Sequence, residues 1–128
     1  MKASDMNDTL TQPLSAERAD LVAVLDKHRG FLRFTVRDLT DEQAAARPTV
    51  SELCLGGLIK HVTAAEKNWA EFSAGRGDSR KKFADMTAED FQRRADEFRM
   101  LPGETLAGLL TEYDEVARRT NDLIQTLP

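Results

Sequence analysis

Apolar positions recur at spacings of three and four along three long stretches of this chain, roughly Leu21–Leu39, Leu55–Phe72 and Leu106–Leu127. That period belongs to one face of an α-helix. In the first stretch the seam reads Leu21, Leu25, His28, Leu32, Thr35, Leu39. In the second it reads Leu55, Leu58, Val62, Ala65, Trp69, Phe72, with His61 at its edge. In the third it reads Leu106, Leu109, Tyr113, Val116, Thr120, Leu123, Leu127. Such seams want partner helices. The chain is therefore expected to be all-α, an antiparallel, up-down helix bundle.

Local signals place the ends of the helices. Ser15 is a candidate N-cap for the first, with Glu17 in its first turn. Thr40-Asp41-Glu42-Gln43 has the spacing of a capping box and starts a short helix that Pro48 stops. Thr49 or Ser51 would cap the second long helix, which Gly75-Arg76-Gly77 ends. Thr87 would cap a shorter helix over Ala88–Phe98, anchored by Phe83, Phe91 and Phe98 and broken by Pro102-Gly103. Glu104 or Thr105 opens the third long helix. Gly30, and the pair Gly56-Gly57, are expected where another backbone comes close. No strand, repeat or low-complexity tract is visible.

The length, 128 residues, suits one domain around one core, with 1–13 as a disordered lead-in and 14–128 as the bundle. Hydrophobic residues make up 41% and charged residues 31%, a globular profile. No apolar run approaches the roughly 20 residues that cross a bilayer, and the polar start is no secretory signal. A cytoplasmic protein with no membrane partner is expected. The net charge of −4 disfavours a nucleic-acid partner, which needs a basic face. The basic cluster Arg76, Arg80, Lys81 and Lys82 reads as a solvated loop. Cys54 is the lone cysteine, expected as a small buried hydrophobe on a helix rather than a reactive thiol.

Phosphate loops, dinucleotide fingerprints, paired-cysteine zinc motifs and the nucleophile elbow do not occur. What remains is His61 and His28. His61 borders the interior of the bundle, where an imidazole nitrogen could ligate a divalent metal such as zinc, nickel or iron. Gly57 and Ala65 stand one turn away on either side, so any second ligand has to come from another helix. His28 occupies a seam position and would meet His61 if the helices faced each other at that height. Glu66 lies about 140° around the helix from His61 and reads as a polar contact between helices.

Three long helices leave a bundle one short of the usual four. The fourth side would be covered by a short element, by a second chain or by chain beyond residue 128. An uncovered groove would favour self-association.

The run from Thr49 to Trp69, with its Leu58-Ile59-Lys60-His61-Val62…Glu66…Trp69 core, resembles the DinB-like (YfiT-like) superfamily. It is most similar to the branch called actinobacterial mini-circle proteins. Leu39-Thr40-Asp41-Glu42-Gln43-Ala44 and Leu101-Pro102-Gly103-Glu104-Thr105-Leu106 resemble that branch too, so the likeness covers the chain from about Leu14 onward. The resemblance implies a four-helix bundle, often a homodimer, with a divalent metal in a pocket. It implies transferases or isomerases that use a small thiol such as mycothiol or bacillithiol. It makes His61 a metal ligand. The other ligands in the family are two histidines one turn apart on a final helix, which this sequence does not contain. The alternative is a catalytically inactive bundle acting through self-association or protein binding.

Overall fold

A computed structural model of the chain describes the backbone of residues 3–76 and 82–128, with side chains from Ser15 onward. It is helical and, among the described residues, without strands. The elements are α1 (Ala3–Thr35), α2 (Asp41–Ala45), α3 (Leu55–Ser73), a single 3₁₀ turn (Phe83–Asp85), α4 (Ala88–Asp96) and α5 (Leu106–Thr126). Among the described residues no helix is long and apolar enough to cross a membrane.

Most boundaries follow from caps legible in the sequence. Thr40 and Gln43 form the reciprocal capping box that opens α2, with Gln43 N–H donating to Thr40 Oγ1 at 3.1 Å and Thr40 N–H to Gln43 Oε1 at 2.9 Å. Thr87 and Asp90 do the same for α4. Thr105 caps α5. Gly75 takes a left-handed φ of +80°, and the Arg76 N–H reaches back to Glu71 O, which closes α3.

Three local expectations need correcting. α1 is continuous from Ala3, so Ser15 lies inside it and caps nothing. α1 also stops at Thr35, earlier than Leu39, where Asp38 turns the chain at φ +59°. Neither Thr49 nor Ser51 caps α3. Cys54 does, its Sγ accepting from Gly57 N–H at 3.2 Å. The expected loop Asp78–Lys82, with Arg80 and Lys81, lies outside the described residues apart from Lys82.

α5 is the central rod and packs against both α1 and α3. The core joins Val36, Ala44, Ile59, Leu106, Leu109 and Tyr113. On α5 the expected seam is the buried one. On α1 and α3 the buried face is turned by about one residue. α1 and the turn that follows it bury Arg29 and Val36, with Leu25 and Leu32 half-buried, while Leu21 and His28 stay exposed. α3 buries Gly56, Ile59 and Thr63, while Trp69 and Phe72 stay exposed. Both helices carry two apolar stripes, and the sequence pattern averages over them.

Direction was also only half legible. Arg29 on α1 bonds both Glu66 on α3 and Asn121 on α5, while Val36 lies with Ile59 and Leu106. α1 thus runs antiparallel to each, and α3 and α5 run parallel to one another. The connection from Ala74 to Thr105 is long enough to return the chain to the starting end of α3, which a short loop between neighbours does not permit.

Candidate functional site

The Cys54–Glu66 segment, which carries the sequence resemblance, packs around the connection that follows α4. A Cβ on Gly57 would stand 1.9 Å from Phe98 O, and one on Gly56 2.2 Å from Met100 Sδ. Two glycines therefore let residues 98–100 lie directly on α3, the close approach the pair suggested. At Gly30, by contrast, nothing lies within 4 Å, so no backbone approach explains it. The Lys60 ammonium, on the same run, donates to Asp96 O (2.7 Å), Arg99 O (3.0 Å) and Glu104 Oε1 (2.9 Å). Its charge meets the carbonyl end of α4, where the helix dipole is negative. Glu104 in turn accepts from Leu101 N–H at 2.6 Å. Cys54 is buried, as expected, but as a cap rather than a core filler.

His61 is placed by this packing. Its ring stacks on Phe98, with centroids 4.5 Å apart and planes 25° from parallel. Its Nδ1 is buried and has no hydrogen-bond partner. A buried nitrogen left unsatisfied costs about 1–3 kcal/mol, so this atom is an expense to the bare fold.

His28 does not join it. It is exposed, bonded through Nδ1 to Val24 O of its own helix at 2.8 Å, and set edge-on to Phe31. Among the described residues no group of three or more His, Cys, Asp or Glu side chains converges as a metal would require. The orphaned Nδ1 suits one bond to an ion. The donor set around it does not fit a complete metal site.

The polar cluster the sequence did not single out centres on Arg29. Its side chain is only 7% exposed. Nε donates to Glu66 Oε1 at 3.0 Å, and Nη1 to Asp26 Oδ1 and Asn121 Oδ1, both at 2.8 Å. Glu66 Oε2 accepts from Thr120 Oγ1 at 3.0 Å. All three long helices meet here. Burial works against the Arg29 charge, but the hydrogen bonds and charges of Glu66 and Asp26 outweigh it and hold its pKa above the ordinary arginine value. One turn on, Arg33 pairs with Asp114, and that hydrogen bond raises its pKa likewise. Glu66 thus behaves as the contact between helices that its place on the wheel suggested. Arg29 was legible only through its spacing with Leu25, Leu32 and Val36.

Tyr113 is buried beside this cluster, and burial, with Glu66 next, raises its phenol pKa above the ordinary value. A broad cleft of about 550 Å³ opens between the C-terminal turn of α1 and the start of α5, past Gly30, Arg33, Phe34, Arg37, Asp41 and Leu106. It is lined by neither histidine nor cysteine.

Comparison with known proteins adds one positive finding. The model of the family described as Mycothiol-S-transferase matches residues 20–128. No curated protein and no solved structure matches the chain. The matched stretch takes in all of α2 to α5 and the C-terminal half of α1. With the all-α bundle and the His61 run, it establishes that the chain belongs to the mycothiol S-transferase family, a member of the DinB-like superfamily.

Proposed function

We propose that this chain is the helix-bundle body of a mycothiol-dependent S-transferase whose reacting end is the His61 face of α3. The observation that carries the reading is the enclosed, unpartnered Nδ1 of His61. A phenyl or leucyl side chain would pack on Phe98 without that cost, so an imidazole here serves a ligand rather than the fold.

In the reaction assigned, mycothiol loses its S–H proton. A sulfur electron pair forms a bond to an electrophilic carbon of the acceptor, and the leaving group departs with the electrons of its former bond. Histidine is the side chain suited to take a proton near neutral pH, and His61 is given that role. The Phe98 stack fixes the plane of its ring. A divalent metal (zinc, nickel or iron) is implied by the likeness to DinB proteins, but the donors present do not fit a complete site and no step is routed through it. A reducing, cytoplasmic setting suits a thiol substrate.

The test is conjugate formation. Purified protein, mycothiol and an electrophilic aryl halide are incubated, and the S-conjugate is measured by mass spectrometry before and after chelator dialysis. Conjugate above the uncatalysed rate, lost in His61→Phe while the variant melts no lower, is the expected result. Equal rates in the two proteins, or no conjugate above background, would overturn the reading in favour of a catalytically empty bundle.

A further inference from the structure

The connection from α4 to α5 lies over the His61 face of α3, yet little holds it there. α4 buries none of its own residues. Its Phe91 meets Phe83 edge to face, with centroids 5.4 Å apart, and both rings stay exposed. Among the described residues no backbone hydrogen bond joins the segment Phe98–Leu101 to α3. Gly56 and Gly57 beneath it have no side chains to interlock with it. Pro102 and Gly103, the latter at a left-handed φ of +88°, then turn the chain toward α5.

Three contacts close the segment down. Phe98 stacks on the His61 ring. Met100 packs against the core. The Lys60 ammonium bonds Asp96 O, Arg99 O and Glu104 Oε1. Only the lysine spans the whole stretch, because its acceptors lie on both sides of Phe98 and Met100.

We propose that Phe98–Leu101 is a strap that lifts from His61 and closes on it again, with Lys60 as its latch. The inference rests on the reading of His61 as the reacting group. With Phe98 stacked, His61 Nδ1 is buried without a partner. An atom that water cannot touch is out of reach of a thiol, so substrate meets it only when the strap is up. Moving covers are drawn from the least stable parts of a fold, where few apolar groups are buried. The α4 side has that character, whereas α3 beneath it buries Gly56, Gly57, Ile59 and Thr63. Lysine suits a latch, since a flexible stem carries a compact charge that water solvates readily. Lifting strands no polar group: the ammonium and the carbonyls it releases pass to water. It also hydrates Nδ1, which offsets part of the cost of opening.

Cys54 reports the motion. It is the only cysteine, it is buried, and its Sγ lies 3.9 Å from Phe98 O. Iodoacetamide is therefore kept from the thiol until the strap lifts. Labelling of the full chain is followed by mass spectrometry at urea concentrations below the unfolding transition. A local opening exposes little surface, so its labelling rate stays flat in urea; labelling through global unfolding climbs steeply. The expected result is a flat rate, raised at least about tenfold in Lys60→Met by loss of the charge-assisted bonds. Glu66→Leu, which alters the contacts of α3 with α1 and α5 and not the strap, should label at the parent's rate without urea. If Lys60→Met loses helicity by circular dichroism, the urea profile of the unaltered protein still decides. Labelling that climbs with urea along the unfolding curve would overturn the proposal. So would a folded Lys60→Met no faster than the parent, or a Glu66→Leu as fast as Lys60→Met. No mycothiol enters and no conjugate is measured, so failure here is distinct from failure of the transferase assay.

Discussion

Replacing Glu66 by leucine should be among the most damaging single changes to this bundle. Glu66 is 16% exposed and holds two bonds at 3.0 Å, one from the Arg29 guanidinium and one from the Thr120 hydroxyl. Removing one partner of a buried ion pair costs about 3–5 kcal/mol, because the other charge stays behind in poor solvent. Here the loss is softened. Arg29 keeps Asp26, which is 55% exposed, and Asn121. About 2–4 kcal/mol is therefore expected. A chain of this length holds roughly 6–19 kcal/mol in all, so the change removes a substantial fraction.

The assay is urea unfolding followed by circular dichroism, with slopes compared to confirm that the midpoint alone has moved. The double variant Arg29→Met/Glu66→Leu is the decisive control. With the charge gone as well, stability should return to within about 1 kcal/mol of the parent, or exceed it. A single variant within 0.5 kcal/mol of the parent would refute the reasoning. So would a double variant no better than the single.

Other consequences follow from the same contacts. Gly57→Ala should cost at least about 3 kcal/mol, because its Cβ meets a backbone carbonyl that cannot swing aside; a melting curve near the parent's would show that residues 98–100 move freely. Lys60→Met should cost about 2–3 kcal/mol by removing three charge-assisted bonds, with the first loss of amide protection expected over residues 96–104 in hydrogen exchange. Tyr113, whose phenol pKa is raised by burial, keeps its proton in the fold at a pH where the unfolded chain gives it up. Its contribution is intact below about pH 10, the ordinary tyrosine value, and is lost as pH rises through the folded value. Tyr113→Phe should flatten that alkaline fall, and an unchanged profile would place its cause elsewhere.

By itself the sequence determined the fold class, the number and extent of the long helices from α2 onward, and most of their caps. These rest on interactions within four residues: the 3.6-residue period, the Thr40–Gln43 box, the Thr87 and Thr105 caps, the Gly75 stop. It also marked His61 and the close approach at Gly56-Gly57. It could not choose the buried face of α1 or α3, because each helix carries two apolar stripes. Which one faces inward depends on where α5 lies, and a single-helix pattern holds no such information. Nor could it show Arg29 joining Glu66 and Asn121, partners 37 and 92 residues away. The parallel run of α3 and α5 and the enclosure of His61 Nδ1 against Phe98 likewise depend on contacts between distant segments. Tertiary packing decided these, because burial and pairing are properties of surfaces that meet only once the chain has folded.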